Sequence, residues 1–344
     1  MTELQWKQLL AVVEGRPVHP LPVGFIIDSP WLPAWAGGSI IDYYGSDEFW
    51  LESNLKAIQR FPDALFLPGF WSEYGMCTEP SAFGAKCVWH AHDLPFAEKT
   101  IETVEQAAAL KKPDVHTDGL LPLMLGRLER MRPRIEAEGH KIRFAVARGP
   151  LNIASFLMGT TEFMMMLSDE PEKAHAMLGT ITDFLCDWLR LQKERIPTIE
   201  GIFLLDDIVG FVGEDDFEAF AKPYLKRAFG AFDSKVRFFH NDAGGLVCAP
   251  HLADIGVNLF NFSFNHELTM MKTLVGDKVA LLGNLPPRDV LALGKPADVR
   301  RETAAMLAPI KDARGLLISV GGGMSPATST ENIDAFLDGV KGKI

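Results

Sequence analysis

Eight short apolar runs are separated along the chain by segments with helical periodicity, and this alternation limits the possible folds more than any other feature. The runs are PVGFIID, PDALFLPG, KIRFAVA, IEGIFLL, KVRFF, GVNLFNFS, KVALLGN and GLLISV. A strand that is followed by a helix and a second strand is one βαβ unit of a parallel sheet. Eight such units without an evident linker predict one α/β domain over residues 1–344, a (βα)8 TIM barrel.

Helices are predicted at the N terminus and between the strands. The N-terminal segment MTELQWKQLLAVVEG is amphipathic, and helical periodicity continues through Asp47 to Arg60, Thr161 to Ile196, Asp215 to Phe232, Leu268 to Val275, Pro296 to Leu307 and Glu331 to Val340. The stretch FWSEYGMCTEPSAFGAKCVWHAHD after the second strand is far longer than a connection needs, and such loops are usually functional. An open, doubly wound sheet is the alternative, but no GxGxxG follows the first strand.

Composition excludes several classes of partner. The formal charge is -11 and no basic patch stands out, which argues against nucleic acid and against anionic membrane surfaces. Four cysteines without CxxC spacing indicate neither a disulfide framework nor a zinc ribbon. No signal peptide is evident near Met1, and acidic residues interrupt each long apolar run. We therefore expect a cytoplasmic protein that acts on a small molecule; a homodimer stays open.

Polar residues stand at the ends of the predicted strands. KVRFF, the fifth strand, ends on His240-Asn241-Asp242, and IEGIFLL, the fourth, ends on Asp206-Asp207. In (βα)8 barrels the C-terminal ends of the strands carry the chemistry. The predicted rim collects Asp28, Glu73, Glu79, Arg148, Asp206, Asp207, His240, Asp242, Asn265, His266, Asn284 and Gly321 to Gly323. We single out Asp207, His240 and Asp28 as candidate catalytic residues.

Each of these candidates also has an ordinary structural interpretation. A single aspartate such as Asp28 at a strand end is often a helix cap or an Asx-turn. Adjacent strand residues point in opposite directions, so one of Asp206 and Asp207 can face the barrel axis while the other caps the next segment. The three glycines could form a bare turn, or they could let a ligand approach the backbone closely.

Several segments resemble the uroporphyrinogen decarboxylase superfamily, which includes the decarboxylases and the zinc- and corrinoid-dependent methyltransferases. The matching segments, in order, are PVGFII, EPSAFGAK, RGPLNIASFLMG, LLDDIVGF, GNLPP and SVGGGMSPATSTENI. They span most of the chain. The resemblance implies a TIM barrel whose site lies at the C-terminal ends of the strands.

The departures from the decarboxylase pattern are informative. The first strand-loop, IIDSPWLPAW, lacks the two arginines of the decarboxylases, and their aspartate after the second strand falls on about Gly69. Phe156, Asp207 and Gly322 replace their tyrosine, serine and histidine. A polycarboxylate tetrapyrrole needs cationic partners, so porphyrinogen decarboxylation is not expected.

The methyltransferase branch is the closer match. Its members bind zinc with a His-x-Cys pair after the fifth strand and a further cysteine in the last glycine turn. Here His240 is kept, Asp242 replaces the first cysteine, and Gly322 replaces the second. The resemblance therefore implies a nitrogen and oxygen zinc site made by His240, Asp242 and one of Asp206, Asp207 or Glu79.

The expected activity is transfer of a methyl group from a small methoxylated or methylated substrate to a corrinoid on a partner protein. The expected substrate contacts are Trp31, Trp35, Phe70, Trp71, Arg148, Asn265, Asn284 and Gly322. The first four would form an apolar wall. Two alternatives stay open: a decarboxylase or lyase for another small acid, with Arg148 as the carboxylate anchor, and a non-catalytic tetrapyrrole or corrinoid binder.

Overall fold

Eight parallel strands form one curled sheet in the computed structural model of the chain. The strands are β1 (Val23–Ile26), β2 (Ala64–Leu67), β3 (Phe144–Arg148), β4 (Gly201–Leu205), β5 (Val236–Asn241), β6 (Leu259–Phe262), β7 (Ala280–Leu285) and β8 (Leu316–Val320). The hydrogen-bonded order is β2-β1-β8-β7-β6-β5-β4-β3, and every pair is parallel. The structure describes residues 1–342, so positions 343–344 of the predicted domain lie outside the described residues.

Alternate residues of the strands pack into two separate cores, which identifies the sheet as a barrel. One set forms an inner core that receives residues from all eight strands: Ile26, Leu65, Leu67, Phe144, Val146, Phe203, Leu205, Val236, Phe238, Leu259, Ala280, Leu282 and Leu317. The intervening residues, such as Phe25, Phe66 and Phe239, join a larger core beneath the helices. Strand side chains alternate between faces, so the first set surrounds the axis. The predicted (βα)8 barrel is confirmed.

The N-terminal helix, Glu3–Val13, bridges the two strands at the ends of the hydrogen-bonded order. Gln5 donates to the carbonyl of Ala64 in β2 at 3.5 Å, and Trp6 packs edge-on against Phe144 in β3 with ring centroids 5.7 Å apart. The helix begins at a capping box in which Thr2 and Gln5 satisfy each other's backbone groups. It contributes Trp6 to the inner core.

Helices surround the sheet. They comprise Leu32–Ala36, Ile40–Gly45, Asp47–Arg60, Thr78–Ala82, Val104–Ala108, Leu121–Ala137, Pro150–Met158, Thr160–Asp169, Pro171–Arg195, Glu214–Asp216, Lys222–Phe229, Leu252–Ile255, Leu268–Val275, Pro296–Leu307 and Thr330–Lys341, with π-helical turns at Phe217–Ala221 and Pro287–Ala292 and 3₁₀ turns at Gly75–Cys77, Asp207–Phe211, Ala249–His251 and Gly276–Lys278. Most predicted helix positions agree closely with these bounds, but the helix predicted over Thr161 to Ile196 is two helices that are separated at Glu170. No helix in residues 1–342 is both long enough and apolar enough to cross a bilayer.

Two predicted segments differ from the structure. β5 continues to Asn241 because His240 and Asn241 pair with β6, so backbone pairing extends past the apolar run. The segment LVCAPHLADI that follows it has the pattern of a short helix, but in the structure it forms a 3₁₀ turn and the helix Leu252–Ile255. The loop after β2 is long, as predicted, but it contains the helix Thr78–Ala82 and a small antiparallel hairpin.

The inner core provides a test of the fold. Phe203 is fully buried and stacks on Phe238 with ring centroids 4.2 Å apart. Phe203→Ala should lower the free energy of unfolding by about 3–5 kcal/mol, because a cavity would remain between packed strands. Urea unfolding followed by circular dichroism measures this. The control is Phe211→Ala, where the ring is 65% exposed and the expected change is within about 0.5 kcal/mol. Equal effects of the two variants would contradict the inner-core assignment.

Candidate functional site

Polar side chains continue the inward-facing series where the strands end. Val146, Leu205 and Phe238 face the axis, and two residues further along each chain stand Arg148, Asp207 and His240. The same count leads from Ile26 to Asp28 and from Leu259 to Asn261. Because side chains repeat their direction every second residue, these polar groups converge at one mouth of the barrel.

Asp207, at the end of β4, forms a compact cluster with His240 and Asp242, at the end of β5. His240 Nε2 lies 3.6 Å from Asp207 Oδ1 and 3.8 Å from Asp242 Oδ2. One ligand atom from each residue lies within 4.8 Å of the other two. His240 is only 6% exposed, whereas the side chains of Asp207 and Asp242 are 33% and 43% exposed. The cluster therefore opens towards solvent through its carboxylates.

Contacts between glycines bring the two carboxylates together. Gly210, in the turn after β4, packs directly against Gly244 in the loop after β5, and a Cβ atom on either residue would clash with the other's backbone. The backbone N–H of Asp242 then donates to Asp207 Oδ1 at 3.2 Å. Burial raises the pKa of Asp242 above its usual value, and the nearby negative charge of Asp207 adds to this.

Gly322 lies beside the same cluster. Its φ of +133° is in the region that favours glycine, and an ideal Cβ there would stand 2.7 Å from Asp242 Oδ2. The absence of a side chain at 322 therefore leaves the space that the Asp242 carboxylate occupies.

A second group of acids surrounds Arg148. Its Nη2 donates to both carboxylate oxygens of Glu73 at 3.0 Å, and its backbone N–H donates to Glu79 Oε1 at 3.3 Å. Burial raises the pKa of Asp28 to about 6, although Arg148 opposes the shift, and burial raises the pKa of Glu79 to about 7. Both acids can therefore carry a proton near neutral pH.

Two of the predicted metal ligands belong elsewhere. Asp206 is fully buried and accepts hydrogen bonds from the backbone N–H groups of Leu151 and Asn152, both at 2.9 Å. It faces away from the axis and binds the N-terminus of the neighbouring helix, so it takes no part in the cluster. Glu79 lies with Arg148 rather than with His240. Asp207 supplies the second carboxylate, as one of the predicted alternatives allowed.

Three of the four aromatic residues predicted as a substrate wall pack with the core beneath the helices rather than with the inner core. Trp31 is 1% exposed and donates from Nε1 to the carbonyl of Thr328 at 2.9 Å, while Trp35 stacks on it at 5.0 Å. Phe70 is 1% exposed and belongs to the core beneath the helices. Trp71 differs, because it lies in the inner core with Arg148 over its ring at 5.8 Å. Sequence position near a strand end did not reveal which ring faces inward.

Two further predicted substrate contacts, Asn265 and Asn284, lie outside the cluster. Asn265 is exposed, and only its backbone N–H is bonded, to Ser263 Oγ at 3.4 Å. Asn284 uses its side-chain amide to hold the carbonyl of His266 at 2.5 Å and lines a separate cavity of about 280 Å³ with Phe264 and Met306. Neither asparagine is brought into the cluster.

Sequence reasoning missed several neighbours of the site. Asn261 is fully buried beside His240. The sequence could have indicated this position, because Asn261 stands two residues after the inward-facing Leu259. Tyr44 and Tyr74 pack within 5.5 Å of each other, and Trp89 from the hairpin contacts both rings. Their place beside the acidic group depends on the fold of the long loop, which no sequence pattern fixes.

The model of the uroporphyrinogen decarboxylase (URO-D) family matches residues 5–342. The chain belongs to this family. Uroporphyrinogen decarboxylase from Hahella chejuensis is 24% identical over 360 residues, covering 99% of this chain and 97% of that protein. The enzyme of the same name from Chloroherpeton thalassium is 30% identical over 184 residues, which cover 51% and 50% of the two proteins.

Solved structures share the fold of this URO-D family member. A methyltransferase from Methanosarcina mazei superposes with a TM-score of 0.81 at 19% identity and covers 98% of each chain. A B12-independent methionine synthase from a Shewanella species gives a TM-score of 0.57 at 12% identity, with 94% of this chain and 98% of that chain covered. At these identities the likeness concerns the barrel alone.

The Gly322 contact leads to a test of the cluster in this URO-D family member. Gly322→Ala should displace the Asp242 carboxylate and weaken binding of zinc by about tenfold or more, as losses of supporting groups at metal sites commonly do. Isothermal titration with zinc measures this. Gly323→Ala is the matched control, because the nearest atom to its ideal Cβ is 4.0 Å away. Equal zinc affinity of the two variants would show that position 322 does not shape the site.

Proposed function

We propose that the protein is a methyltransferase that moves a methyl group from a small methoxylated or methylated compound to a corrinoid on a separate protein. The observation that carries the proposal is the cluster of Asp207, His240 and Asp242 at the barrel mouth. The sequence resemblance implies a zinc site at these positions, with oxygen donors in place of sulfur, and this supports the proposal.

The residues of the cluster fit a zinc ion. One imidazole nitrogen and two carboxylates are accepted ligands, and three protein ligands leave a fourth position for a substrate oxygen. The partial exposure of Asp207 and Asp242 gives access from solvent. When bound, zinc would act as a Lewis acid that stabilises negative charge on the departing oxygen.

The acids beside Arg148 can supply the proton that the reaction needs. A reduced corrinoid, a cob(I)amide, would supply the electron pair of the new bond to the methyl group. The substrate oxygen would keep the electron pair of the broken bond and would need a proton. Asp28 has a raised pKa of about 6 and interacts electrostatically with His240. We assign Asp28 as the proton donor, which matches the pH range at which a general acid works well.

The apolar part of a substrate has a different wall from the one expected. Trp71 forms part of the floor beneath Arg148. Phe211 and Leu246 are exposed in the loops after β4 and β5. Apolar side chains on loops around a few polar groups are what a small, partly aromatic substrate requires.

Decarboxylation of another small acid is the second candidate. It is favoured by the decarboxylase relatives and by Glu79, whose pKa is raised to about 7 by burial. Arg148 is a weaker carboxylate anchor than the sequence alone indicated, because Glu73 already engages it through both oxygens. Carbon dioxide release from a carboxylated substrate without a metal would favour this candidate.

Uroporphyrinogen should not be a substrate. Its carboxylates need several cationic partners, and the loop after β1 offers none. We expect no decarboxylation in an anaerobic assay that resolves turnover on the order of 1 per second. A turnover at that level would refute the assignment to the methyltransferase branch.

The metal proposal is tested by two variants. His240→Ala should remove one ligand and sharply lower both zinc content and demethylation, while the circular dichroism spectrum stays unchanged because the rim carries little of the core packing. Asp242→Cys should raise zinc affinity, because it restores a thiolate ligand. His116→Ala, which removes an exposed imidazole far along the sequence, is the control. If neither wild type nor Asp242→Cys carries metal after growth with zinc, the proposal fails.

A further inference from the structure

Asn261 is an unusual residue to find on the inner side of a barrel strand. It lies on β6 opposite His240 in the strand register and is fully buried. Its Nδ2 donates to the carbonyl oxygens of Leu282 at 2.8 Å and Val320 at 3.2 Å, and its Oδ1 lies 2.7 Å from His240 Nδ1. The side chain thus connects β6 with β5, β7 and the end of β8.

These contacts allow one orientation of the amide. Carbonyl oxygens can only accept hydrogen bonds, so the NH2 group must face Leu282 and Val320. Turning the amide over would place Oδ1 against two acceptors and leave buried polar groups unsatisfied, which is strongly unfavourable. Oδ1 therefore faces His240 and can only accept a hydrogen from Nδ1.

The histidine tautomer follows from this orientation. A neutral imidazole carries one hydrogen, and Asn261 holds it on Nδ1, which leaves a lone pair on Nε2. That lone pair points towards the carboxylates of Asp207 and Asp242. Without Asn261 the two carboxylates would favour a hydrogen on Nε2, because Nε2–H could donate to them. The asparagine thus opposes the tautomer that its neighbours prefer.

We infer that Asn261 is a positioning residue that keeps His240 Nε2 free as a metal ligand. This inference rests on the proposed function, since the lone pair matters only if a cation takes it. Groups that orient a ligand histidine through its other nitrogen commonly change metal affinity by 10- to 100-fold. Asn261 acts through His240 and does not itself reach the two carboxylates.

Nitrogen NMR of the metal-free protein tests the tautomer directly. At a pH where the imidazole is neutral, wild-type His240 should show hydrogen on Nδ1 and none on Nε2. Asn261→Ala should move the hydrogen to Nε2 and lower zinc affinity roughly 10- to 100-fold.

Asn258→Ala is the matched control. Asn258 precedes β6 and also connects it to β5, accepting from the backbone of Arg237 at 2.7 Å and donating to Lys235 at 2.8 Å, but at the opposite end of the barrel. Its loss should leave both the tautomer and zinc affinity unchanged. Equal zinc affinities for the Asn258→Ala and Asn261→Ala variants would overturn the inference.

The outcomes separate this inference from the proposed function. A wild-type His240 with hydrogen on Nε2 overturns the inference even if Asn261→Ala does not fold. Zinc bound by wild type and equally by Asn261→Ala overturns the inference and leaves the proposed function standing. A wild type that shows the Nδ1 tautomer but binds no zinc supports the orienting role of Asn261. It shows that this role does not serve zinc binding, and it refutes the proposed function.

Discussion

The parallel pairing of all eight strands is the constraint on which the site depends. Parallel strands end at the same edge of a sheet, so the carboxyl ends of β1, β3, β4, β5 and β6 meet at one mouth. Inward-facing apolar residues fill the barrel below that edge, and polar residues begin where the packing ends. The chemistry is thereby separated from the core, and polar substitutions at the mouth leave the apolar interior intact.

The mouth is strongly acidic, and its charges are arranged in two groups. Arg148 pairs with Glu73 within one group, where burial disfavours the charged carboxylates and raises the pKa values of Glu73, Asp28 and Glu79. In the other group, Asp207 and Asp242 face the imidazole of His240. One group favours proton transfer and the other favours a cation, a division of roles that suits a metal-assisted reaction with a general acid.

Membership of the URO-D family fixes the barrel but does not fix the activity, because one fold supports many reactions. The differences at individual positions carry more information. Glycine at 322 leaves room for the carboxylate at 242, so the two positions are best understood as one spatial unit. In the same way, Asn261 and His240 form a buried hydrogen-bonded pair, so the orientation of one side chain depends on the other.

The sequence by itself determined the eight strands, most of the helices, and the polar residues at the strand ends, because periodicity and composition are local properties. It also indicated that only one of Asp206 and Asp207 would face the axis. Only the tertiary structure decided that Asp206 binds a helix N-terminus, that Trp31 and Phe70 lie in the core with Trp35 packed against it, and that Asn261 contacts His240. Those outcomes depend on contacts between residues far apart in the chain, and such contacts exist only once the barrel has closed.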